Sequence, residues 1–160
     1  MTAKDAINTA LGVSSGDAMY QLRARRPVFV SGAEACRAAV LHPEDDLDLS
    51  PDLRHAVAHR AAAFGANAAF LAGYPAPDAP EFQDLAEGGL PSDPGLAALA
   101  RHTDMIAATP AKASEAHLQD LLSAGFSVSQ IIALSELLAQ VCFEMRVVHG
   151  LSLLRNNANA

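Results

Sequence analysis

Between Val128 and about Arg155 the chain is apolar on nearly every side of a helix. Ile131, Ile132, Leu134, Leu137, Leu138, Val141, Cys142, Phe143, Met145, Val147, Val148 and Leu151 cover most of the circumference. The start is sharply marked, because Ser127-Val128-Ser129-Gln130 fits a capping box. A long helix with no clear polar face must be wrapped by other helices or by another subunit. The rest of the chain holds few helices to wrap it, which predicts a homo-oligomer formed through residues 128–154.

The remaining segments carry helical periodicity and almost no strand signal, so the expected fold class is all-α. Asp5–Leu11 reads as a short helix ended by Gly12, and Ala18–Arg25 as a second. Pro27–Val30 is the one short strand candidate, with Ser31 capping a helix over Gly32–Leu41. The run from His42 to Asp48 reads as a solvated acidic loop. Ser50-Pro51-Asp52 joins a capping serine, a proline at the first helical position and an acid in the first turn. That helix is expected to reach Gly73, with Leu53, Val57, Ala61, Phe64, Ala68 and Leu71 on one buried stripe. Asp93-Pro94 and Thr109-Pro110 repeat the start signal, for helices over Gly95–Ala108 and from Pro110 to Ala124. Gly125 is the expected residue after the second of them. Asn156–Ala160 reads as a frayed tail.

Length fits a single domain over 1–160, in which 1–49 forms a helical extension and 50–155 the core helices. Eleven Lys+Arg against 18 Asp+Glu give a net charge of −7. A nucleic-acid partner needs a basic footprint that this balance lacks. No apolar run reaches the ~18 residues of a membrane span, and the N-terminal stretch shows no secretory pattern. The expectation is therefore a cytoplasmic protein with no nucleic-acid and no membrane partner. The two cysteines, Cys36 and Cys142, form no CxxC and are expected to be free thiols. No cofactor is called for.

Three features bear on chemistry. His55 and His59 lie four residues apart, on one face of a helix. Such a pair can hold a divalent ion, but Ala56 replaces the glutamate of an HExxH motif and no third ligand is visible, so no metal is assigned. Glu136 stands on the apolar last helix, where a carboxylate must pair, accept hydrogen bonds or become protonated. It is either an ion-pair partner or an acid facing His55, His59 or His117. Arg146 faces the same choice, with pairing to a neighbour's carboxylate such as Glu144 as the simpler reading. Cys142 sits among Val141, Phe143 and Met145, a setting that makes a thiol inert.

The order of signals from Leu96 to Leu154, with Leu121-Leu122-Ser123-Ala124-Gly125-Phe126-Ser127 and then Phe143-Glu144-Met145-Arg146, resembles the carboxymuconolactone decarboxylase-like superfamily. Leu22–Pro27 and Ser50–Tyr74 resemble its alkylhydroperoxidase D-like, peroxidase-related branch. The resemblance implies an all-α fold with a long C-terminal helix and assembly as a trimer or hexamer. It also implies an antioxidant oxidoreductase lineage. Redox members of that family carry Glu, then CxxC, then His. Laid on 50–74, the pattern falls on His55, Asn67, Phe70 and Tyr74; in a second register it falls on Ala98, Pro110, Ala113 and His117. Only His117 matches, and neither register holds a thiol. What the resemblance then implies is a member without thiol chemistry. If active, it uses histidine and Glu136 for acid–base work on a small organic substrate, with Asn67 and Tyr74 as polar ligand contacts and Arg60, Arg101 or Arg146 as a cationic anchor. The decarboxylase branch gives His117 its precedent as an acid or base. A non-catalytic oligomeric accessory protein of a redox-active paralogue is the alternative.

Overall fold

A computed structural model of the protein describes residues 5–158. Those residues are all-helical, with no strand among them. Nine α-helices follow in order: α1 Ala6–Leu11, α2 Ala18–Ala24, α3 Pro27–Leu41, α4 Pro51–Ala63, α5 Ala68–Leu71, α6 Gln83–Ala86, α7 Pro94–Ala108, α8 Glu115–Ser123 and α9 Val128–Ala158. Single turns of 3-10 helix over Pro80–Phe82 and Pro110–Lys112 precede α6 and α8.

Capping chemistry sets most of the boundaries. Ser50 and Asp93 accept the backbone N–H of Leu53 and Leu96, and Pro51 and Pro94 open the helices behind them. The Ser127 Oγ accepts the Gln130 N–H at 3.2 Å and Gln130 Oε1 returns the bond to Ser127 N at 2.9 Å, which is the capping box expected for α9. Gly12 and Gly125 sit at φ 65° and 98°, in the left-handed region that ends α1 and the α8 segment.

Four local expectations are corrected. Pro27–Val30 is the first turn of α3, not a strand; proline at the first helical position outweighs a four-residue apolar run. The helix from Pro51 stops at Ala63. Ala66 takes φ 48° and Asn67 caps a separate one-turn helix, so Phe64 and Ala68 leave the buried stripe that Leu53, Val57 and Ala61 form. The segment from Pro110 is a 3-10 turn followed by α8, because Ser114 supplies a second cap. Helix α9 continues to Ala158 where fraying from Asn156 is expected; positions 159–160, like 1–4, lie outside the described residues.

Helix α9 is the axis of the fold. Leu134, Leu137, Leu138 and Val141 are wholly buried, each worth about 1.5–3 kcal/mol relative to exposure. Helices α1, α3, α4, α7 and α8 pack along it. Ile7, Leu11, Leu41 and Leu49 belong to the same core as α4 and α9, so the segment from α1 to Leu49 shares it. Gly65 lets the end of α4 approach α9: a Cβ there would meet Met145 Cγ at 3.0 Å. The acidic loop is held from below. Arg54, buried in α4, donates to the carbonyls of Leu49, Val40 and Asp46, and Gln130 of α9 donates to that of Leu47 at 2.9 Å. None of the described helices is long and apolar enough to cross a membrane.

Candidate functional site

The alanine-rich face of α4 leaves a cleft of about 510 Å³ beside α5, α6 and α7. Its walls are Ala63, Phe64, Leu71 and Ala86, and its polar groups are His59, Arg60, Glu87 and Asp104. His59 Nδ1 stands 2.6 Å from the carbonyl oxygen of Tyr74. A carbonyl only accepts, so Nδ1 carries the hydrogen and Nε2 holds the free lone pair. The imidazole is thus fixed in one tautomer, with its basic nitrogen left without a partner among the described residues.

Arg60 is paired with Asp104. Its Nε and Nη2 donate to the two oxygens of Asp104 at 2.6 and 2.7 Å. Its Nη1 donates to the carbonyls of Leu85 and Gly89 at 3.0 and 2.7 Å. This planar fork joins α4, α6 and α7 and uses four of the five guanidinium N–H groups, with the charge met by Asp104. Arg60 therefore closes the floor of the cleft instead of anchoring a ligand. With Asp104 paired and Glu87 exposed, the cleft carries no free positive side chain.

Behind His59 lies a buried polar cluster. Glu144 of α9 is wholly buried. Its Oε2 accepts from the Tyr74 hydroxyl at 2.7 Å and from Arg37 Nη1 at 2.7 Å, and its Oε1 accepts from Gln140 at 2.9 Å. The Arg37 guanidinium also lies over the Tyr74 ring, 3.8 Å from its centroid, and donates to the Gly73 carbonyl. Burial and the neighbouring carboxylate raise the pKa of the Tyr74 phenol, so it stays a donor. Charge, ring and amide are mutually satisfied, as a buried carboxylate requires. Sequence reasoning missed Glu144 as a core residue. The signal was its spacing, three residues after Val141 and four before Val148 on the buried stripe of α9.

The predicted site residues are scattered. His55 is half-buried on α4, its ring 5.6 Å from that of His42. Burial, His42 and Arg37 lower its pKa. His117 is the third residue of α8, where its Nδ1 closes a capping box with Ser114. Glu136 is exposed and lines an apolar groove with Leu118, Leu122, Val128 and Ile132, a groove that none of the three histidines lines. Asn67 spends its Oδ1 on the Phe70 N–H, capping α5. The Tyr74 hydroxyl is engaged by Glu144. Arg146 is exposed and is in no ion pair among the described residues. Of the predicted residues His59 and Arg60 line the cleft, and the carboxylates beside them are Glu87 and Asp104.

Among the described residues no three His, Cys, Asp or Glu side chains gather as a metal site needs. Both cysteines are free: Cys36 is exposed on α3 and Cys142 is buried on α9, where burial raises its pKa against the pull of Arg146. His102 of α7 is buried with neither ring nitrogen partnered, next to an equally unpartnered Thr103 hydroxyl. Comparison with protein-family models, with curated proteins and with solved structures finds no match for the chain.

Proposed function

We propose that the chain is a CxxC-lacking member of the carboxymuconolactone decarboxylase-like superfamily, from its alkylhydroperoxidase D-like branch, that performs acid–base chemistry at His59. One observation carries the chemical reading: a single imidazole lines a cleft walled by alanine, leucine and phenylalanine, and a backbone carbonyl holds its Nδ1. His59 is the base. Its Nε2 takes the proton from a carbon next to a carbonyl, while the Nδ1–H bond to Tyr74 steadies the imidazolium that forms. The imidazolium returns a proton to the same carbon of the enolate, and Glu87, in the same cleft, is a carboxylate that can stabilise the cation. Because the Arg60 charge is already paired with Asp104, the substrate is a small neutral carbonyl compound and not a carboxylate. The lineage is that of antioxidant oxidoreductases, but thiol peroxidase chemistry is not part of the reading, given the separate settings of Cys36 and Cys142. Two free thiols fit a cytoplasmic protein.

The test is hydrogen–deuterium exchange at carbon, followed by proton NMR, in a panel of small lactones and ketones. Exchange lost in His59→Gln and retained in His55→Gln and His117→Gln supports the reading. No exchange with any compound, or exchange indifferent to His59→Gln, overturns it.

A second reading, that of a non-catalytic oligomeric accessory protein, is favoured by a different observation. Helix α9 keeps an exposed apolar edge along its length, with Val128, Ile132, Phe143, Leu153 and Leu154 all about half exposed or more.

A further inference from the structure

The exposed edge of α9 is ordered in a way that names its occupant. Ile132, Glu136, Ala139, Phe143, Arg146 and Leu153 all point outward. With Gly150 they step by four and three residues in alternation, the 3.5-residue repeat of a helix seam that meets another helix. The edge holds two charges, Glu136 and Arg146, and neither is in an ion pair among the described residues. At about 1.5 Å per residue they stand about 15 Å apart along the axis.

We infer that this edge binds a second copy of the chain, α9 antiparallel to α9, about a two-fold axis beside Val141. It deepens the assembly reading above and rests on it. The register follows from charge and size together. Turned about that axis, Glu136 of each copy meets Arg146 of the other, so both charges are paired, twice. The same rotation sets Phe143 against Ala139 and Ile132 against Gly150, a large side chain on a small one each time. Val128, at the open end of the apolar groove between α8 and α9, meets Leu154. An in-register parallel pair does the reverse: it sets Glu136 on Glu136, Arg146 on Arg146 and Gly150 on Gly150. An isologous two-fold contact needs a self-complementary surface, and the edge has that property in both charge and volume.

Sedimentation equilibrium on the full chain tests the register, with far-UV circular dichroism to confirm that each variant keeps its helices. The native chain is expected to be a dimer. Glu136→Arg alone and Arg146→Glu alone each set like charges together twice, and each is expected to raise the dissociation constant at least about tenfold. An equimolar mixture of the two variants pairs every charge again, and is expected to return to within about threefold of native. A native chain that stays monomeric at about 100 µM, well above the range of specific interfaces, overturns both the register and the assembly reading. A native oligomer whose two variants gain nothing on mixing, or a trimer, overturns the antiparallel register and leaves self-association standing.

Discussion

The Tyr74 hydroxyl donates to Glu144 at 2.7 Å inside the bundle, and the same carboxylate oxygen receives Arg37. One wholly buried charge thereby joins α3, the segment after α5 and α9. Glu144→Ala leaves a guanidinium, a phenol and an amide without their partner. The expected loss is about 3–5 kcal/mol, the usual effect of breaking a buried pair from one side. Tyr74→Phe removes one donor and is expected to lose about 1–2 kcal/mol. Urea unfolding measures both, and a Glu144→Ala loss below that of Tyr74→Phe contradicts the assignment.

The unpartnered His102 makes stability depend on pH. Burial, and then His117, hold its pKa below the ordinary 6.5 in the folded chain. As pH falls below about 6.5 the unfolded chain takes up this proton first, so stability falls from there downward until the folded histidine also titrates. His55 is depressed as well, by burial first, and adds a slope of the same sign. His102→Leu is expected to flatten the loss between about pH 6.5 and 5, and to match or exceed native stability at pH 7 because it removes two unpaired buried nitrogens. Thermal melts across that range check it; an unchanged slope rejects it.

The two thiols are expected to react in separate regimes. Exposed Cys36 should titrate at once with an aromatic disulfide reagent, and buried Cys142, its pKa raised, only on unfolding. Cys36→Ser should abolish the fast phase and leave the slow one. Two equal fast phases in the native chain would contradict the burial of Cys142.

The neutral His59 imidazole is expected to carry its hydrogen on Nδ1, which nitrogen-15 NMR distinguishes from the other tautomer. The Nε2–H form would break the 2.6 Å bond to the Tyr74 carbonyl, and with it the acid–base reading.

Elements were legible where a cap or a proline spoke locally. Ser50-Pro51, Asp93-Pro94, Ser127 with Gln130, and Gly125 all mark real boundaries. The break after Ala63 was not legible, since Phe64 and Ala68 continue the apolar period and no proline or glycine pair marks the stop ahead of Gly65. Of the site, His59 was visible as half of a pair with His55. Its real partner is a carbonyl fifteen residues on, which spacing on one helix cannot reveal. Glu136 and Glu144 exchanged roles for a related reason. Both are carboxylates on one apolar helix; Glu144 shares the inward stripe of Val141 and Val148, and the Arg37 that pairs with it lies over a hundred residues earlier.

Tyr74 is gripped at both ends, its carbonyl by the imidazole of α4 and its hydroxyl by the carboxylate of α9. The imidazole that lines the cleft and helix α9 are therefore separated by a single residue. A twist of α9 about its own axis would pull on the phenol, and the phenol's own backbone would retune the aim of the ring.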